Sequence, residues 1–403
     1  MGTKDFIIGI DLGTSNSAVA VVGDDGAPRI LPDDLGRHVI PSVVSFHPTG
    51  KVLVGHEAKQ RRIIDPKNTV FSVKRILGRR YSSPEVAAVD ARSPFVIKEG
   101  ENEQPVIATR AGEFAIAEIS AIVLDHMRKI AEEALQGSVR RVVITVPANF
   151  NDAQRQATAT AGAIAELVVV RILNEPTAAA LAYGHGQNLH QTLAIYDFGG
   201  GTFDITILQL RDNVYEVLST AGDTFLGGDD IDSRIVDYMA EAFLREHRMD
   251  LRTDEMAMQK LRAMAEQVKC DLSSQEHVAV TLEKLAIGSG GQPLDLGFSL
   301  ERSAFVRRVS DLIERSFPVC DEALRLAGLG PTQVDEVLLV GGTTRIPYLR
   351  ERVAAFFGRA PRMDVNPDEA VALGAALQGA ALASLLDKRS PSPRHPSVAP
   401  PPP

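Results

Sequence analysis

Two segments of this chain share one plan. FIIGIDLGTSNSAVAVV (6–22) and LAIYDFGGGTFDITILQL (193–210) each run as a short apolar strand ending in an acid, a Gly-rich turn carrying Thr, and a second strand. Asp11 and Asp197, 186 residues apart, are the matching acids. A second pair, VRRVVITVPANF (139–150) and VDEVLLVGGTTRIP (334–347), repeats a buried strand that enters a polar or Gly-rich turn. The spacing is far longer than the roughly 20–50-residue period of a solenoid. It indicates a duplicated domain, so the fold must be built of two like halves.

The turns carry a chemical meaning. Glycines let backbone N–H groups approach phosphate oxygens, and Thr adds a hydroxyl donor. An Asp there would repel phosphate, so it belongs on a cation or its water shell. One such turn is usually only a turn. Two with matching acids, facing each other, would clamp a polyphosphate. No G-x-x-x-x-G-K-[ST] occurs and no G-x-G-x-x-G opens a helix, which excludes a P-loop and leaves a dinucleotide fold unsupported.

Between the motifs the pattern predicts helices over 174–184, 231–247, 303–329 (bent near Pro318) and 369–386. Strands alternating with helices imply a mainly parallel α/β architecture. A net charge of −9 argues against nucleic acid as a partner. Cys270 and Cys320 lack any metal-ligand spacing, so a reducing compartment is expected. No run of about 18 apolar residues predicts a membrane span. The N-terminus reads as neither a signal peptide nor a myristoylation site, and the expected location is the cytoplasm. Residues 387–403, rich in Pro and Ser, read as a disordered or polyproline-type tail.

Several long stretches carry a resemblance: GIDLGTSNSAVAVV, NTVFSVKRILGRR, VVITVPANFNDAQRQAT, RILNEPTAAALAYG, YDFGGGTFDITIL, GDTFLGGDDID, VLLVGGTTRIP and DVNPDEAVALGAALQG. In this order and spacing the chain resembles the nucleotide-binding domain of the DnaK-type seventy-kilodalton heat-shock chaperones, within the actin-like ATPase superfamily. The resemblance implies an actin-like ATPase fold with two duplicated lobes around a central nucleotide cleft. Lobe one would be 1–186, with an outer subdomain over 41–110. Lobe two would be 187–386, with an outer subdomain over 229–304. It implies an ATP-hydrolysing chaperone-type domain that switches lobe closure with nucleotide state.

Carried onto this sequence, the resemblance puts Asp11 and Asp197 on the hydration shell of Mg2+, with K+ as a further cation. Gly13, Thr14 and Ser15 would meet the phosphates from one side, and Gly199, Gly200, Gly201 and Thr202 from the other. Lys74, Glu175 and Asp204 would act with Asp197 and Thr202 on the γ-phosphate and the attacking water. Gly227, Gly228, Asp229, Glu266, Lys269 and Ser273 would line the adenosine side, with Gly341, Gly342, Arg345 and Asp368 at the base. Arg171, Asn174 and Thr177 match positions used to contact J-domain cochaperones. A nucleotide-exchange factor is a further expected partner, and the protein is expected to be monomeric.

Simpler readings stand beside these. Lys74 with Arg75 could be a solvated charge pair, Glu175 a first-turn acid, Asn174 a helix cap, and Glu266 with Lys269 an exposed i,i+3 pair. Cys270 reads as a small buried apolar residue. His185, His190 and His277 read as surface positions. An actin-like filament former and a sugar-kinase-like enzyme are the competing functions. Asn149 stands where the family usually has Tyr, and Ser15 where it has Thr. The linker and β-sandwich that follow in the family are not legible after Leu386, so this chain alone is not expected to hold unfolded peptide.

Overall fold

The computed structural model describes residues 6–187, 189–211, 214–363 and 365–389. The duplication is visible in its sheets. In the first, Ile7–Leu12 pairs in parallel with Arg141–Val146 and forms an antiparallel hairpin with Asn16–Val22. In the second, His190–Phe198 pairs in parallel with Glu336–Val340 and forms an antiparallel hairpin with Phe203–Arg211. Each Gly-rich turn is therefore a hairpin tip, flanked by the strand end of the second repeated segment.

The expectation of a mainly parallel architecture is corrected. The parallel pairs among the described strands are the two just named and Arg141–Val146 with Val168–Asn174; the other pairs are antiparallel. A hairpin tip of a few residues can join only antiparallel strands, whereas a parallel join needs a crossover.

Each half has its own apolar core. One is built from residues between Ile8 and Leu167, the other from residues between Ala194 and Phe357. A third cluster joins them. It takes Ile7, Val143 and Leu173 from the first sheet, Leu193, Ile195 and Leu338 from the second, and alanines of helices Glu175–Gly184 and Ala370–Arg389. Small side chains let these two helices wedge between the sheets. The outer parts of the halves hold the short strands Val43–Phe46, Val52–Val54 and Thr69–Phe71 on one side. On the other they hold helices Gly228–His247 and Glu255–Leu272 with the hairpin His277–Ile287 and Pro293–Glu301.

The helix expected over 303–329 is two helices, Arg302–Glu314 and Ser316–Ala327. The break falls at Arg315 rather than at Pro318, because Pro318 sits in the first turn of the second helix, where no N–H is needed. The helix expected to end at 386 continues to Arg389. The rest of the Pro-rich tail, 390–403, lies outside the described residues. Among those residues no helix is long and apolar enough to cross a membrane.

Candidate nucleotide cleft

Where the two sheets face each other, their hairpin tips line one cleft. Asp11, Gly13, Thr14 and Ser15 come from the first tip, and Asp197, Gly199, Gly200, Gly201 and Thr202 from the second. Lys74 and Glu175 reach in between, and Gly341, Gly342 and Asp368 border the cleft as well. Glycine is needed at two of these positions for stated reasons. A Cβ on Gly200 would lie 2.1 Å from Ser15 Oγ, so the two tips nearly touch. Gly341 has φ +84°, a left-handed backbone, with Phe198 O only 2.6 Å from where a Cβ would go.

The acids are crowded. Hairpin register sets Asp197 directly opposite Asp204. Thr145 Oγ1 donates to Asp11 Oδ1 at 2.9 Å, and Asn149 Nδ2 donates to Asp204 Oδ1 at 2.9 Å. Lys74 Nζ, whose side chain is 7% exposed, donates to Glu175 Oε1 at 2.6 Å. Burial, then Glu175, raises the Asp11 carboxyl to about 7, against Lys74 and Thr145. Burial and Glu175 likewise raise Asp204 to about 7. Asp197 is pushed well above the carboxylate range by burial, then by Glu175, Asp204 and Asp11. This is an excess of negative charge with one lysine against it, a setting that a hard divalent cation with oxygen ligands would neutralise. Among the described residues no three or more His, Cys, Asp or Glu converge as a metal cage.

The remaining expected residues, Gly227, Gly228, Asp229, Glu266, Lys269, Ser273 and Arg345, are not among those lining the cleft. Gly228 N donates to Gly199 O at 3.0 Å and Asp229 N to Gly200 O at 2.8 Å, so 227–229 brace the second tip from behind. Lys269 Nζ bonds Asp232 Oδ2 at 2.8 Å and Gly228 O at 3.3 Å. Burial acts to lower the Lys269 ammonium, and the Asp232 carboxylate more than reverses this. Glu266 pairs with Lys59 at 2.6 Å, so Lys269 and Glu266 do not form the i,i+3 pair with each other. Ser273 Oγ bonds back to Lys269 O at 3.4 Å, and Arg345 Nη2 grips Asp368 Oδ2 at 2.6 Å. Cys270 is exposed, which corrects the buried reading: it lies on the outward side of its helix. Asn174 occupies the cap position of the 175–184 helix but its side chain makes no cap bond, and its Oδ1 is buried without a partner.

Sequence reasoning missed Thr145, Asp232 and the bonding of Arg75. Arg75 is not a solvated partner of Lys74; its Nη2 bonds Asp229 Oδ2 at 2.8 Å, from the other half of the molecule. Thr145 stands in an unremarkable apolar strand, and only its position beside Ile10 and Asp11 in the sheet gives it a role. Asp232 follows Gly228 by one helical turn, a spacing that could have pointed to it.

A family model described as Hsp70 protein matches residues 7–390. A match over nearly the whole chain, on a fold whose repeated glycine tips meet in one cleft, means that this chain belongs to the Hsp70 family.

Proposed function

We propose how this chain, an ATP-hydrolysing domain of the Hsp70 chaperone family, divides that work among its residues. The backbone amides of Gly13 and of Gly199 to Gly201 receive the phosphates from two sides, with Thr14, Ser15 and Thr202 adding hydroxyls. The observation that carries the reading is the buried Lys74–Glu175 pair at 2.6 Å in one cleft with Asp11 and Asp197, with Asp204 lining the adjoining cavity beside Lys74. Glu175 fixes the ammonium of Lys74 in one orientation, so a positive charge waits where charge spreads over the γ-phosphate. Phosphoryl transfer gains most from such positioning and charge stabilisation. Asp204, held by Asn149, is placed to orient the attacking water. A magnesium ion, with K+ as companion, would be held by Asp11 and Asp197 through water and supplies neutralisation of the phosphates. Lys269, Glu266, Ser273, Arg345 and Asp368 frame the nucleoside.

Lobe closure has a physical basis in ion pairs of one polarity. Lys59–Glu266 at 2.6 Å, Lys67–Glu255 at 3.5 Å, Arg75–Asp229 at 2.8 Å and Arg92–Asp230 at 3.1 Å each join a cation from the first half to an acid from the second. Opening the cleft separates them, and we propose that nucleotide state and an exchange factor act on this seam. Arg171 is exposed on the edge strand Val168–Asn174, which supports a J-domain docking role with Asn174 and Thr177. A monomer in a reducing, cytoplasmic setting completes the proposal.

Steady-state ATP turnover with and without a J-domain protein tests this reading. Turnover is expected alone and faster with the cochaperone, and Arg171→Ala is expected to blunt the stimulation. No turnover under either condition would sink it.

Proton release gives a separate check. With their carboxyls raised to about 7, Asp11 and Asp204 keep protons near neutral pH that an ordinary carboxyl has lost. A bound cation favours the ionised form, so Mg-ATP binding is expected to release protons at pH 7 and far fewer at pH 8.5. Calorimetry in two buffers of different ionisation enthalpy measures this; equal heats in both buffers at pH 7 would contradict it.

A further inference from the structure

A groove of about 890 Å3 lies on the first half and shares no lining residue with the nucleotide cleft. Ligand pockets run to roughly 300–1,000 Å3, so it has room for several residues of an extended chain. Helix Ile116–Leu135 runs along it. Val52, Phe114, Ile122 and Ile164 give it an apolar lining, and Val52 and Ile164 are 46% and 49% exposed.

The charge left over in the groove has one sign. Its three Arg and Lys side chains, Arg37, Arg128 and Lys129, are all paired, with Asp33, Asp125 or Glu132. Asp34, Glu57, Glu133 and Glu166 also line it and are exposed, and among the described residues none of the four has an ion pair. An occupant with cations and apolar side chains fits such a surface.

This chain carries a segment of that chemistry. Residues 388–403, KRSPSPRHPSVAPPPP, hold three cations, no acid, and prolines with Val398. The fold brings its start near one end of the groove. Along helix Ala370–Arg389, Gly9 meets Ala376 and Ile7 meets Gly379, so the helix runs toward the end of the sheet where the strands begin. Ile7 pairs with Arg141 and Arg141 with Val168, two residues after Glu166. Glu133 lies in the last turn of its helix, ahead of the strand Arg141–Val146. Glu133 and Glu166 therefore sit at that same end, on the opposite face of the sheet from helix Ala370–Arg389. Beyond Gly379 that helix overhangs by about 15 Å. Crossing two layers of about 10 Å each makes the path from Arg389 to the groove about 25 Å. At about 3.1 Å per residue in a polyproline form, 390–403 reach about 43 Å.

We propose that residues 390–403 turn back round the end of the sheet and dock in this groove, with Arg394 against Glu133 and Glu166 and 398–403 along the apolar side chains. A Pro-rich segment is already extended, so it loses little freedom on docking.

The test is photocrosslinking in the full chain, with benzoylphenylalanine in place of Val398 and adducts mapped by mass spectrometry. Adducts are expected within one chain, on Val52, Phe114, Ile122 or Ile164. Arg394→Glu is expected to lower their yield roughly threefold or more, and high salt to act likewise. Glu133→Lys with Glu166→Lys is expected to lower it comparably, and the three substitutions together to restore it. Restoration separates a charge contact from a structural defect. No adduct, adducts on another face, or an unchanged yield in Arg394→Glu would overturn the proposal. Failure of the charge swap to restore the yield would overturn the pairing with Glu133 and Glu166. Adducts that join two chains would assign the groove to the tail of a second copy and overturn docking within one chain.

Discussion

Asp197→Asn is expected to slow ATP turnover by roughly 10²–10³-fold and, at the same time, to raise the melting temperature of the nucleotide-free protein. The two effects have one cause. Asp197 faces Asp204 across the hairpin, and burial, Glu175, Asp204 and Asp11 all disfavour its ionised form, with Lys74 opposing. When nucleotide and cation are bound, that concentrated charge is what the site uses. When they are absent, it is a repulsion stored in the fold. A carboxyl whose folded-state pKa lies above its unfolded value contributes stability that is present at low pH and lost as pH rises through the folded value. The gain from Asn should therefore be smaller at pH 5 than at pH 8, because a raised carboxyl gives up its proton only as pH rises. Melting curves at both pH values, beside a turnover assay, check the pair of effects. A variant that loses activity but melts alike at both pH values would mean that the acids are not in conflict.

The same crowding explains what the sequence made legible and what it did not. The two hairpin tips could be read because each packs its chemistry into a dozen contiguous residues, and because the second copy confirms the first. Lys74 and Glu175 were readable only through the motifs around them; their mutual bond spans 101 residues, and no periodicity encodes such a contact. Thr145 and Asn149 owe their places to parallel pairing and to the approach of the two halves, which a single strand's pattern cannot show. The mixed pairing of the sheets was missed because strand–helix alternation was given more weight than the shortness of the Gly-rich turns. Cys270 was misplaced because composition says that cysteines are buried, whereas its neighbours Lys269 and Val268 take the inward positions of that helix turn.

The largest structural effect is expected at a residue with no chemistry. Gly374 lies where helix Ala370–Arg389 crosses helix Glu175–Gly184, and a Cβ there would lie 1.7 Å from Ala178 O and 2.4 Å from Ala178 C. The obstacle is backbone, so no side chain can rotate away. The same helix crosses the first strand just as closely: a Cβ on Gly9 would lie 2.2 Å from Ala376 N. Relief by sliding the helix outward would loosen the cluster through which the two sheets are joined. Gly374→Ala is therefore expected to cost about 3 kcal/mol or more, the upper range for overpacking, and to lower the melting temperature by at least about 5 °C. Because the loosened seam joins the halves of the cleft, the stabilisation gained from Mg-ATP should shrink as well. Gly297→Ala is the control. It is exposed on the outer hairpin with nothing within 4 Å of its Cβ, and is expected to stay within about 0.5 kcal/mol of the parent. Equal melting of the two variants would show that the seam yields, and that the halves are held by something other than this close crossing of helices.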